Sequence, residues 1–188
     1  VSNSNAKGGA FERRVCNNLS LWVSDFTRKD IFWRSAMSGG RATVHKKKGI
    51  SLRSQVGDVC AIHPLGHFLT NKFMIECKHY KSLGWEPVLY GSEKLVAGFW
   101  IKVQQEAKTF KKAPMLIGKQ NNKRDIVILN KFGTKFCMNN KMEPMFIVPR
   151  LEMYVYIFAD LLAIPFEEIR NRNGKKRSRK RKKLHINR

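Results

Sequence analysis

Acidic residues are scarce in this chain. Only 14 Asp and Glu stand against 37 Lys and Arg in 188 residues, a formal charge of +23. That balance excludes a cationic ligand held by broad charge and calls for an anionic partner, without choosing between nucleic acid and lipid. Long apolar runs are missing as well. No uncharged stretch approaches the roughly 20 residues that a membrane helix needs. The opening Val1-Ser-Asn-Ser-Asn-Ala-Lys-Gly-Gly lacks an apolar signal segment, so the expectation is an intracellular protein with no membrane association. Cysteine is sparse: four residues at scattered positions exclude a disulfide framework and fit a reducing compartment.

The apolar content is enough for a core. Hydrophobic residues make up 43% of the chain, and the length suits one domain with a tail. The tail, Lys175 to Arg188, holds nine Lys/Arg and no acid, and the preceding 174 residues still carry 28 basic against 14 acidic side chains. A self-repelling run without apolar period reads as a disordered basic arm that adds non-specific phosphate contacts. The expected division is a folded domain over 1–168 and a disordered tail over 169–188.

Periodicity orders the folded part. Phe11, Val15, Leu19, Trp22, Val23 and Phe26 form one stripe of a helix over 10–26, with Glu12 at its edge. Strands are expected at 31–34, 56–62 and 73–80, the last two joined as a hairpin by a turn at Pro64 and Gly66. A second helix opens at Ser92 and Glu93, with Leu95, Phe99, Val103, Ala107 and Phe110 buried. Strands at 114–117, 125–129 and 146–148 come next, then an apolar helix over Leu151–Ala163 that serves as core or as a dimer interface. The alternation of helices and strands makes this an α/β layered domain. Trp22, Trp33, Trp85 and Trp100 read mostly as core by periodicity; Trp85, in a loop beside Gly84 and Pro87, is the one among them with a second reading, stacking on a base or sugar.

The chemistry concentrates in Gly57-Asp58 and Ile75-Glu76-Cys77-Lys78. Alternation along a strand turns Glu76 and Lys78 to one side and Cys77 to the other. With Asp58 on the neighbouring strand, two carboxylates and one ammonium share a sheet rim. Phosphodiester hydrolysis uses this set: two hard oxygen ligands hold Mg²⁺ or Mn²⁺, and a lysine stabilises charge on the phosphate. The Cys77 carbonyl is a further ligand candidate, and Glu12 a holder of a second metal or of a metal-bound water. Lys119, ending a strand near the rim, is a candidate phosphate contact. A competing zinc set, Cys60, His63, His67, Cys77 and His79, is weakened by the same alternation, which turns Cys77 and His79 away.

The combination of Gly9-Ala-Phe-Glu-Arg13, Phe32-Trp-Arg-Ser35, Ser38-Gly-Gly40, Gly57-Asp58 and Ile75-Glu-Cys-Lys78 resembles the PD-(D/E)XK nuclease superfamily, and within it the Holliday-junction-resolvase-like branch. Phage-encoded members with the run Phe-Trp-Arg-Ser-Ala-Met-Ser-Gly-Gly-Arg are most similar. The resemblance covers about residues 7–130, with Gly57 in place of the usual proline, and leaves the C-terminal helix and arm unassigned. It implies a restriction-endonuclease-like mixed central sheet flanked by helices, dependence on Mg²⁺ or Mn²⁺, usually a homodimer, and a DNA substrate that is branched, as a four-way junction is. For a phage-encoded protein the compartment is the host cytoplasm. The family's site maps onto Glu12, Asp58, Glu76 and Lys78. Its serine-glycine loop maps onto Ser38, Gly39 and Gly40, and the arginine just before it onto Arg34, as contacts to the DNA backbone; Ser35, Arg41 and the Lys46, Lys47, Lys48 run are read beside them as further backbone-contact candidates. Two alternatives stand beside it: a nuclease of the same fold acting on duplex, nicked or packaging DNA, and a non-enzymatic basic nucleic-acid-binding protein.

Overall fold

A computed structural model describes residues 4–35, 56–85, 88, 90–91, 95–138 and 142–173. Helix α1 (Ser4–Val23) buries Phe11, Val15, Leu19, Trp22 and Val23. It stops three residues earlier than its apolar stripe. Asp25 and Phe26 adopt φ values of 52° and 64°, which a helix does not tolerate, and Phe26 is 73% exposed rather than part of the buried face. A buried hydroxyl ties the helix to residues 31 and 32: Ser20 Oγ accepts from the amides of Ile31 (3.2 Å) and Phe32 (2.9 Å).

Strand β1 (Phe32–Arg34) pairs antiparallel with β2 (Val59–Ala61), Trp33 facing Cys60 across the ribbon. The expected hairpin between β2 and the next strand is replaced by helix α2 (Pro64–Thr70). Pro64 starts this helix with its φ already set and no amide to lose, and the His63 ring nitrogen accepts from the Leu65 amide at 3.3 Å. The Pro-x-Gly signal read as a turn is therefore a helix start.

The main sheet has the order β3-β4-β5-β7-β6. Strands β3 (Phe73–Tyr80) and β4 (Ala113–Gln120) run parallel, joined through α3 (Val96–Thr109); β5 (Ile126–Leu129), β6 (Phe146–Val148) and β7 (Met153–Ile157) pair antiparallel. It is the mixed α/β sheet expected. Along β3 the side chains alternate between two cores: Phe73, Ile75 and Cys77 enter the one built with α1, and Met74 enters the one built with α3. Helix α3 buries Val96, Ala97, Trp100, Val103 and Ala107, so Leu95, 45% exposed, lies off the stripe assigned to it. Its expected start at Ser92 and Glu93 lies outside the described residues.

The apolar run after Pro149 is not a helix from Leu151 onward. A 3-10 turn (Pro149–Leu151) ends at Glu152 with φ 47°, and β7 intervenes before a short helix (Phe158–Ala163). Met-Tyr-Val-Tyr-Ile is β-branched and aromatic, and β7 lies between β5 and β6 with both faces covered. Two-sided burial, rather than a dimer contact, accounts for its wide apolar character. Residues 166–173 are again helical; Ile169 is fully buried and Arg172 donates to the Phe136 and Cys137 carbonyls. The folded part thus runs past residue 168, and residues 174–188 lie outside the described residues.

Among the described residues, an isolated parallel bridge, Gly57 to Ile75, joins the N-terminal ribbon to the edge of the sheet. Gly57 has φ 89°, and a Cβ there would lie 2.5 Å from the Ile75 carbonyl oxygen. Both features exclude a side chain. Gly57→Ala is expected to cost about 1–3 kcal/mol, a fall in Tm of roughly 2–12 °C for a chain of this size. Gly8→Ala, where the added Cβ meets nothing within 4 Å, is the control that thermal denaturation should find unharmed.

Candidate functional site

Asp58 comes directly after that bridge. Its amide donates to the Ile75 carbonyl (2.8 Å) and its carbonyl accepts from the Ser35 amide (2.8 Å), so its backbone is fixed between β1 and the free edge of β3. Its side chain turns onto β3, where Oδ2 accepts from the Cys77 amide at 2.8 Å. Only 4% of Asp58 is exposed. Burial first, and the Glu76 carboxylate second, push its carboxyl up from 3.8 to about 7, against the opposing pull of Lys78.

Glu76 and Lys78 project together from β3, and the Lys78 ammonium gathers the site. Its Nζ lies 2.5 Å from Glu76 Oε1, 3.3 Å from the Cys77 carbonyl and 4.0 Å from Asp58 Oδ2. Burial alone would lower the Lys78 pKa, but the two carboxylates outweigh it and hold the ammonium above its ordinary value. Cys77 Sγ points the other way, into the α1 core, where burial keeps the thiol protonated. Asp58 and Glu76, 18 residues apart in sequence, therefore meet on one ammonium.

Glu12 is tied to the end of β1 through Arg34. Arg34 Nε donates to Glu12 Oε2 at 2.5 Å, and this pair links α1 to the strand that holds Asp58. The Glu12 bond raises the Arg34 pKa. The guanidinium lies against Gly9, where a Cβ would come within 3.3 Å of it. Gly9 opens the Gly9-Ala-Phe-Glu-Arg13 motif, and its reason is spatial: nearly one helical turn before Glu12, it leaves room for the arginine.

The remaining candidates divide. Ser35 is buried (3% exposed) and contributes its amide to Asp58. Lys119 does not join the rim beside Glu76. Strand alternation turns it to the α1 face, 3.2 Å from Asp125, which Arg14 also holds at 2.7 Å. Ser38, Gly39, Gly40, Arg41, Lys46, Lys47 and Lys48 lie outside the described residues. The zinc set does not assemble: His63 caps α2, His79 bonds Asn121 at 2.9 Å, and Cys77 is in the core. Among the described residues no group of three or more His, Cys, Asp or Glu side chains is arranged to hold a metal.

The donor set that does assemble is of another kind. Two carboxylates and a main-chain carbonyl, all hard oxygens, surround one cationic centre on the edge of a buried strand, and the Glu12–Arg34 pair fastens the neighbouring ribbon. The family model of phage putative PDDEXK endonucleases matches residues 3–172. The chain belongs to that family. No curated protein and no solved structure matches it. The match reaches well beyond residue 130, so β6, β7 and the C-terminal helices, which lie past the span of the sequence motifs, fall within the residues matched to the family. No helix among the described residues is long and apolar enough to cross a membrane.

The raised Asp58 pKa has a definite sign for stability. As pH rises, the unfolded chain loses this proton near 4 and the folded endonuclease only near 7, so the native state is penalised progressively across that interval and fully above it. In chelator, Asp58→Asn keeps the Cys77 amide partner and removes the buried charge. Its Tm at pH 8 is expected to exceed that of the wild type, by about 2–4 °C for each kcal/mol relieved. The gain should shrink as the pH is lowered toward 4; a gain independent of pH, or a loss at pH 8, contradicts the buried-charge account.

Proposed function

We propose that this chain is a divalent-metal-dependent endodeoxyribonuclease that hydrolyses phosphodiester bonds in branched DNA, as a Holliday-junction resolvase does. The observation that carries the reading is the placement of Asp58, Glu76 and the Cys77 carbonyl around a single cation, the Lys78 ammonium. Oxygen-only donors with mixed side-chain and main-chain origin suit Mg²⁺ or Mn²⁺.

A bound divalent ion supplies an activated water and offsets charge on the phosphate. The residues of the chain do the rest. Asp58 and Glu76 would hold the ion, with the Cys77 carbonyl as the third protein oxygen. Asp58 would have to be ionised to do so, which its raised pKa favours only as pH approaches and passes about 7. Lys78, a compact charge on a flexible stem, neutralises the two carboxylates and stabilises negative charge on the reacting phosphate. Glu12 acts on position: it fixes Arg34, whose exposed guanidinium edge is a backbone contact for DNA. The loop residues Ser38, Gly39, Gly40 and Arg41 and the cations Lys46, Lys47 and Lys48 belong to the same backbone-contacting group. Contacts of this type fix register without reading bases, which fits an enzyme that selects shape. Symmetric cleavage of a four-way junction needs two sites related by a two-fold axis, so the working unit is a homodimer.

The test uses labelled four-way junction, linear duplex and single strand, each with Mg²⁺, Mn²⁺ or EDTA. Junction cleavage is expected with either metal and none in EDTA. Asp58→Ala and Lys78→Ala should bind the junction and lower the rate by about a hundredfold or more. Cleavage that survives EDTA removes the metal mechanism. Equal cutting of all three substrates moves the target to other DNA, and binding without cutting under every condition makes the chain a nucleic-acid-binding protein.

A further inference from the structure

Four tryptophans occur in the chain, and three are accounted for by packing. Trp22 is 4% exposed and donates from Nε1 to the Ile164 carbonyl at 2.7 Å. Trp100 is fully buried and donates to the Leu151 carbonyl at 2.9 Å. Trp85, the one with a second reading as a base-stacking ring, packs edge-on against Phe146 at 5.1 Å. Trp33 is different. It is 62% exposed in the middle of β1, and among the described residues its indole has neither a ring contact nor a hydrogen bond. An aromatic residue of that size in the middle of a paired strand ordinarily packs against a neighbour. Its cross-strand partner is the small, half-buried Cys60, whose Sγ donates to the Trp33 carbonyl at 3.3 Å and leaves the ring face open.

Its position gives the exposed ring a context. The next residue is Arg34, paired with Glu12, and the one after is Ser35, whose amide holds Asp58. The indole thus stands two residues before the amide that holds Asp58 and next to the arginine that holds Glu12. The ribbon of β1 and β2 is roughly 10 Å long. Among the described residues of the ribbon, Ile62, two residues beyond Cys60 and 60% exposed, is the further large apolar side chain open on that face. A stable protein partner buries about 800 Å² on each side, far more than these described side chains offer. A nucleobase needs no more than one ring.

We propose that Trp33 is a stacking platform for a single unpaired nucleobase of the DNA substrate, next to the phosphate presented to Asp58, Glu76 and Lys78. This rests on the DNA-cleaving reading above and sharpens its substrate class. In uninterrupted duplex each base face is already covered by its neighbours, whereas a branch point, flap or single strand exposes one. Trp33 therefore favours DNA with at least one unstacked nucleotide beside the scissile bond, and blunt duplex gains nothing from it.

The test is binding in EDTA, where no strand is cut, to a four-way junction, a flap, a single strand and a blunt duplex. Intrinsic tryptophan emission is expected to fall on adding the first three and not on adding the last, and Trp33→Phe should abolish that fall while keeping affinity within about twofold. Trp33→Ala should weaken the first three by about 5- to 100-fold, the range of a base stacked on an aromatic ring, and leave duplex affinity and Tm unchanged. Unchanged affinity of Trp33→Ala for every unpaired substrate overturns the proposal while leaving the nuclease reading intact. So does a change of oligomeric state in light scattering without a change in DNA binding, which assigns the ring to a second copy of the chain. A wild-type protein that binds none of the four DNAs overturns both.

Discussion

Two main-chain hydrogen bonds of 2.8 Å, one on either side of Asp58, hold a nearly dehydrated carboxylate on the open edge of β3. The amide bond reaches Ile75 and the carbonyl bond reaches Ser35, so the same residue joins the small ribbon to the large sheet. Nearly everything else in the candidate site is arranged around this junction. Gly57 lets the backbone approach, α2 returns the chain from the ribbon to β3, and Ser20 and the Glu12–Arg34 pair fasten α1 to the ribbon. A site assembled this way is held by backbone geometry, which side-chain fluctuation alters little.

The electrostatics have the same origin. Two carboxylates brought close in a water-poor position repel one another, and each also loses hydration. The chain answers with one lysine two residues along the same strand, which the pleat delivers to the same side. This offsets the repulsion only in part: burial first, and Glu76 second, still hold the Asp58 proton up to about pH 7. Two acids thus share one cation here, in a molecule that carries +23 overall.

Much of the fold and the site is legible in the sequence. Strand β3 is readable because Phe-Met-Ile-Glu-Cys-Lys alternates on one side only from its midpoint, and α1 because its apolar spacing is regular. The meeting of Asp58 with Glu76 is also readable, though by the wrong route. The spacing suggests a hairpin, whereas the structure uses a parallel bridge with a helix between, because Pro64 and His63 form a helix start that looks like a turn until the cap is seen. The run 153–157 misleads for a related reason: a strand covered on both faces shows no alternation, so its periodicity cannot be told from that of a helix. Periodicity favours Trp33 in the core, whereas the structure leaves it 62% exposed opposite the small Cys60. Lys119 looks like a rim cation because its distance from the strand end is right, but the one-residue parity of β4 sends it to the opposite face.

Strand β3 borders the sheet, and an eight-residue border strand with open amides and carbonyls invites a strand from another molecule to pair with it. In this protein the border is plugged. The Ile75 carbonyl is taken by the Asp58 amide, and the Cys77 amide by the Asp58 carboxylate. The aspartate that gathers the site thereby also occupies two of the backbone groups through which a further strand would pair, so edge protection and site geometry draw on the same few atoms.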